Sequence, residues 1–282
     1  MNVTVNGAEL FYTTRGRGPT ILIPGGMGTR PNELLMPAQM SDRFRLVFVD
    51  LRGSGQSTGQ AADLTFDILA EDLEAVRTDL GVDRVAVLGH SILGILAIEY
   101  GKRCPAAVSH VIAVGTPPFG DMARLASLAS AFFKADASED RQRILRENMA
   151  RLTPSSSPGQ ALLAQTPTRF FDPRFDAAPL FAGASRNPAQ LMHVMRTLTP
   201  AWDILVDAGR LQVPLLITQG RFDYTVPHTL WEGVVDKLPG ATFRIFEQSG
   251  HQPFFEEPGL FAEALADWMA GSGPLTGPFS NC

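Results

Sequence analysis

Short apolar runs and helical stripes alternate along the first third of the chain. Val3–Val5 and Glu9–Thr13 flank Asn6-Gly7, which predicts a β-hairpin. Thr20–Ile23 is an apolar run ending in Pro24-Gly25-Gly26-Met27-Gly28, a strand feeding a tight loop. Leu46–Val49 predicts a second buried strand, closed by Asp50. Phe66, Leu69, Leu73, Val76 and Leu80 recur at steps of three and four, the spacing of an amphipathic helix, and Gly81 stops it. Arg84–Leu88 reads as a strand, Ile92–Tyr100 as an apolar helix and Val108–Val114 as another strand. Strands alternating with helices predict a mostly parallel sheet covered on both faces.

The alternation stops after Pro117. From there to Trp202 no buried strand is predicted. Helical stretches, Met122–Phe133 and Arg141–Leu152, alternate with Pro- and Ser-rich pieces such as Thr153–Gly159. The strand pattern returns at Pro214–Thr218 and Thr242–Phe246, and Pro258–Met269 predicts a closing helix. This predicts an α/β core made of residues 1–116 and 207–270, a helical insertion over 117–206 and a flexible tail over 271–282.

Composition narrows the function classes. In 282 residues, 45% are hydrophobic and 19% charged, enough for a sizeable core. The net charge of −5 comes with no basic stripe, which argues against a nucleic-acid partner. The N-terminal segment has no basic region or apolar run of a signal peptide, and no stretch is long enough to span a bilayer, so the expectation is a cytoplasmic protein with no membrane partner. Cys104 and Cys282 make no metal cluster, and no disulfide is expected. No Walker lysine or Gly-x-Gly-x-x-Gly helix start is present, so no cofactor and no metal is expected.

The chemistry concentrates at three places. Val85–Leu88 runs through Gly89-His90-Ser91-Ile92 into a helix, so Ser91 sits at the apex of a sharp strand–turn–helix. Such a turn lifts the hydroxyl above the sheet edge and aims the helix N-terminus at a reacting carbonyl. A serine hydroxyl is a poor nucleophile and needs a base. Asp223 follows the strand over 215–218, and His251 follows the strand over 242–246. Both lie at carboxyl ends of predicted parallel strands, where open α/β sheets build their sites.

From the first hairpin to the closing helix the chain resembles the α/β-hydrolase fold superfamily. The resemblance implies an eight-stranded, mostly parallel sheet with an inserted helical cap, and a serine hydrolase whose nucleophile is Ser91, base His251 and orienting acid Asp223. It implies an oxyanion hole made by the Ile92 N–H and the Gly26 N–H, with Met27 the second choice. Asp50-Leu51-Arg52-Gly53-Ser54-Gly55-Gln56-Ser57 resembles a structural loop of the family, in which Asp50 and Arg52 would satisfy backbone groups. The chain departs from the pattern at two places. The usual elbow is Gly-x-Ser-x-Gly, but Leu93 stands at the second glycine, with Gly94 one place later. Pro24 replaces the histidine of the family's His-Gly loop.

The substrate is less legible. An ester or lactone with an apolar acyl or alcohol part is the first reading, with Met27, His90 and Trp202 as candidate contacts. The Gly-Gly loop and the segment Glu99–Pro105 resemble the proline iminopeptidase-like branch. That branch implies an aminopeptidase holding a free amine on cap carboxylates, here Glu139, Asp140 or Glu147. A transferase or cyclase, or a ligand receptor, stays open on the same three residues.

Overall fold

A computed structural model describes residues 1–25, 33–181 and 189–272. Its centre is an eight-stranded sheet. The strands are β1 (Asn2–Val5), β2 (Ala8–Arg15), β3 (Thr20–Gly25), β4 (Arg45–Asp50), β5 (Val85–His90), β6 (Val108–Val114), β7 (Leu215–Gly220) and β8 (Ala241–Phe246). They lie in the order β1-β2-β4-β3-β5-β6-β7-β8. The first two are antiparallel and the other six run parallel. Chain order therefore reverses on either side of β3 and β5, and the crevice at that point lies above their carboxyl ends.

Side-chain alternation decides which helix covers which face. Leu22, Val47, Val87, Val111 and Ile217 point to one face. There they pack on α2 (Phe66–Asp79) and α3 (Leu93–Arg103) through Leu73, Val76, Ile95 and Ile98. Ile23, Phe48, Leu88, Ile112 and Leu216 point to the other. That face is covered by α1 (Ala38–Arg43) and the closing helix Pro258–Gly271, through Met40, Phe261 and Leu265. Each fully buried side chain of this size stabilises by about 1.5–3 kcal/mol, so both layers are needed to hold the parallel strands. At the C-terminal end of α3, Cys104 is buried and disulfide-bonded, against the sequence expectation.

Residues 115–214 connect β6 to β7 without a sheet strand among the described residues. They form α4 (Met122–Asp136), α5 (Glu139–Ala150), α6 (Pro158–Ala164), α7 (Thr166–Arg169) and α8 (Ala189–His193), the last running into a π-helical turn over Val194–Leu198. Helix α5 starts two residues before the stretch Arg141–Leu152 that the sequence predicts, because Ser138 accepts the Arg141 N–H and caps it. The Pro- and Ser-rich piece hides α6. Ser157 and Gln160 form a reciprocal capping box and Pro158 occupies the first turn, a start signal inside what reads as a linker.

The loop after β4 is structural, as the sequence implied. Arg52 forms a buried ion pair with Asp72 of α2 at 2.6 Å, and its other N–H groups reach the Val5 and Asn6 carbonyls. It ties the first hairpin to α2. No helix among the described residues is long and apolar enough to cross a membrane.

Candidate active site

The turn between β5 and α3 carries Ser91 at φ 58°, one of three described non-glycine residues in the left-handed region. That conformation costs about 1–2 kcal/mol for an L-residue. The Ser91 N–H donates to Val114 at 2.8 Å and the Ser91 carbonyl accepts from Gly94 at 2.9 Å, so β6 and the helix fix the apex. The displaced glycine has a packing reason. A Cβ on Gly94 would lie 1.8 Å from Thr116 Oγ1, and a Cβ on Gly89 would lie 2.5 Å from Gly94 Cα. Gly94 therefore makes the close approach of strand and helix, which frees position 93 for a leucine that faces the cavity.

Asp223 follows β7 and is fully buried. Its Oδ1 accepts the Thr225 and Val226 N–H groups, each at 2.8 Å, and its Oδ2 lies 2.7 Å from His251 Nδ1. A carboxylate can only accept, so His251 carries its proton on Nδ1 and leaves a lone pair on Nε2. That Nε2 is buried and has no hydrogen-bond partner among the described residues. His251 is held from behind as well. Its N–H donates to the Arg169 carbonyl at 2.6 Å, and a Cβ on Gly115, at φ 56°, would lie 2.9 Å from its Nδ1.

Ser91 and His251 line one cavity of about 440 Å³, beneath α4, α6 and α8. Its walls are largely apolar, with Leu125, Phe181, Leu191, Met192, Met195 and Val226. The Ile92 N–H opens α3 beside Ser91 and forms no hydrogen bond among the described residues. Gly26 and Met27 lie outside the described residues. His90 also lines the cavity. Burial and the neighbouring His251 ring hold its pKa well below the ordinary histidine value, and its Nε2–H donates to the His251 carbonyl at 2.8 Å. It is a neutral brace rather than a base.

Trp202 lies elsewhere. Its indole N–H donates to Glu99 at 2.8 Å, and it lines a separate groove with Lys102 and Arg103. The carboxylates of α5 also lie outside the cavity. Asp140 pairs with Arg143 and Arg174, Glu147 pairs with Arg143, and Glu139 is exposed. Asp121, which follows β6, caps α4 through the Ala123 and Arg124 N–H groups. His110, His193 and His228 are partnered by Ser272, Leu64 and Arg221.

Three residues that support the site carry no motif. Arg141 of α5 is buried and donates to the Pro167, Phe170 and Phe171 carbonyls, clamping the end of α7. Glu256, in the short helix α9 (Pro253–Glu256) that follows His251, accepts the Phe171 N–H at 2.6 Å and the Gly250 N–H at 2.8 Å. Burial pushes its pKa up to about 7, although these donors pull it down. Arg169 ends α7 and lines the cavity. Arg141 falls in a helical stretch that the sequence predicts, but nothing local pointed to these contacts.

Comparison with known proteins agrees with this architecture. A family model described as alpha/beta hydrolase fold matches residues 18–258. The AB hydrolase superfamily protein YclE of Bacillus subtilis is 29% identical over 94% of this chain and 96% of its own length. A pimeloyl-[acyl-carrier protein] methyl ester esterase of Sodalis glossinidius is 30% identical over 92% of this chain and 97% of its own. Among solved structures, the proline iminopeptidase of Mycobacterium smegmatis superposes with a TM-score of 0.73 at 22% identity, covering 96% of this chain and 97% of that one. With the sheet order, the match across most of the chain and relatives covered over nearly all of their length, this chain belongs to the α/β-hydrolase fold family.

Proposed function

We propose that the protein is a serine hydrolase that cleaves a small carboxylic ester or lactone through an acyl-enzyme on Ser91. The observation that carries this reading is the His251 ring. Its Nδ1 is committed to buried Asp223, and its unpartnered Nε2 borders the same cavity as Ser91. In this reading Nε2 takes the Ser91 proton as Oγ attacks the carbonyl carbon. The tetrahedral oxyanion is met by the Ile92 N–H at the positive end of α3, with the loop at Gly26 as the second donor. His251 then passes the proton to the leaving oxygen, and water repeats the cycle to release the acid. Asp223 fixes the tautomer and stabilises the transient imidazolium. Residues 117–206 act as the cap that makes the cavity apolar and excludes bulk water.

The aminopeptidase reading is the weaker one. Among the described lining residues there is no Asp or Glu to hold a free amine, and the only Lys or Arg is Arg169, which would repel an ammonium. The test is a rate assay with p-nitrophenyl esters, lactones and proline p-nitroanilide, run on the wild type and Ser91→Ala. Ester or lactone turnover that disappears in Ser91→Ala supports the proposal. Preference for the proline amide would replace it with the aminopeptidase. A product carrying a second substrate would replace it with a transferase. Binding without turnover would leave a receptor.

A further inference from the structure

The cavity above Ser91 holds a charge that the reaction just described does not use. Arg169 lines it beside His251 and Thr225. Its backbone carbonyl is occupied by the His251 N–H. Its guanidinium is not occupied. Nε is buried without a hydrogen-bond partner, and among the described residues no carboxylate oxygen comes within the 4.0 Å of an ion pair. The segments outside the described residues, 26–32, 182–188 and 273–282, contain no Asp or Glu in their sequence.

Asp223 is the acidic group whose field reaches the guanidinium. Its oxygens are already spent on Thr225, Val226 and His251. Burial accordingly works against the Arg169 charge, and Asp223 offsets that only in part. Most surrounding side chains are apolar: Leu125, Phe181, Leu191, Met195 and Val226. A guanidinium held among apolar side chains with no anion beside it is unfavourable, and a cation left in this state is what a site for an incoming anion looks like before binding. The planar fork of donors matches a carboxylate in two-point geometry. Among the described lining residues it is the single Lys or Arg, which balances one negative charge and suits a carboxylate better than a dianionic phosphate.

We propose that Arg169 binds a carboxylate of the substrate, so that the preferred substrate is an ester or lactone carrying a carboxylate a short carbon chain from the scissile bond. This rests on the reading of Ser91 and His251 as the reacting pair. The apolar walls take the carbons between the two groups, and Arg169 fixes which end enters first. Specificity then comes from a single charge inside a greasy cavity. A neutral ester of equal length lacks the pairing and leaves the guanidinium uncompensated.

The test compares matched pairs on the wild type, Arg169→Gln and Arg169→Lys. Monomethyl adipate against methyl hexanoate places the charge on the acyl side. 3-Butanoyloxypropanoate against propyl butanoate places it on the alcohol side. The expected result is that kcat/KM favours the charged member of at least one pair by about tenfold or more, mostly through KM. In Arg169→Gln the preference collapses, and Arg169→Lys keeps part of it. A wild-type ratio near or below one in both pairs, with Ser91-dependent turnover of the neutral esters, overturns the inference and leaves the hydrolase reading intact. Arg169→Gln slowing charged and neutral esters equally through kcat also overturns it, because Arg169 would then act on Asp223 and His251. The wild-type comparison needs no variant, so a misfolded Arg169→Gln does not protect the idea. If no ester turns over, the hydrolase reading falls, and calorimetric binding of the same pairs to the wild type decides the inference. Tighter binding of a charged member supports it, and equal or weaker binding of both overturns it.

Discussion

Replacing Asp223 by Asn tests the proposed mechanism at the point where the geometry is most constrained. Asp223 Oδ1 serves two backbone N–H groups and Oδ2 serves His251 Nδ1. The Thr225 and Val226 N–H groups are fixed in the loop, so the amide oxygen of Asn must face them. Its NH2 then faces His251 Nδ1, which can accept only by moving its proton to Nε2. That tautomer cannot take the Ser91 proton. A comparable tautomer reversal in the serine protease triad lowers turnover about ten-thousand-fold, or about 5 kcal/mol of barrier. The fold should lose less, about 1–3 kcal/mol, because a charge-assisted bond becomes a neutral one. Asp223→Ala should cost the fold more, on the order of 3–6 kcal/mol, since it strands three donors, two of them buried. Steady-state rates on a p-nitrophenyl ester give kcat and KM, and urea titration followed by circular dichroism gives stability. Folded Asp223→Asn retaining turnover within about tenfold of the wild type would refute the tautomer argument.

The other predictions address separate parts of the structure. Ser91→Ala should abolish ester turnover while relieving the left-handed backbone little, so its melting temperature should stay near the wild type; substantial residual turnover would place the nucleophile elsewhere. Gly94→Ala should destabilise by about 1–3 kcal/mol despite the better helix propensity of alanine, because its Cβ would lie 1.8 Å from buried Thr116 Oγ1. Adding Thr116→Ala should recover much of that loss, and simple additivity of the two changes in a double-mutant cycle would contradict the packing account. Glu256 rises to about 7 in the fold against about 4.3 in the unfolded chain, so below both values each state holds the proton. Between them the unfolded chain releases its proton first, and the stability Glu256 contributes falls as pH rises, by up to about 4 kcal/mol, and levels off above the folded value. Urea titrations of the wild type and Glu256→Gln at about pH 5 and about pH 8 should show the balance shifting toward Gln at the higher pH; a constant gap would show that Glu256 does not take up its proton on folding.

The fold was legible because a parallel sheet writes itself as apolar runs. Thr20–Ile23, Leu46–Val49 and Leu215–Thr218 are buried on both faces and carry almost no polar interruption. The order Ser91, Asp223, His251 was legible for a related reason. Each follows a strand, and the carboxyl ends of parallel strands converge on one edge. Trp202 shows the limit. Its apolar bulk signals burial, but which wall it joins depends on Glu99, far away in sequence. Arg141, Arg169 and Glu256 show the same limit from the polar side. The carbonyls that Arg141 clamps and the Phe171 N–H that Glu256 accepts lie between 26 and 85 positions away, Arg169 meets a cavity, and a charged residue on a helix looks identical whether it meets water or a carbonyl. Gly94 was visible as a departure from pattern, but its cause is Thr116, across the sheet edge.

The hydrogen bonds of α7 bear on how such a protein can acquire new substrates. Thr168 supplies the carbonyl for the Tyr224 N–H, one residue past Asp223, and Arg169 supplies the one for His251. The inserted segment is thus scaffolding for the Asp223 loop and for His251 as well as a roof over the cavity. Exchanging the whole of 117–206 for the matching piece of a relative would remove both carbonyls, and the recipient would need equivalents before any new pocket shape could matter. Exchanging only what lies outside 166–171, with Arg141 retained as the clamp, would leave those supports in place. Diversification is therefore inexpensive around α4, α6 and α8 and constrained at α7, so libraries aimed at altered selectivity belong on the former.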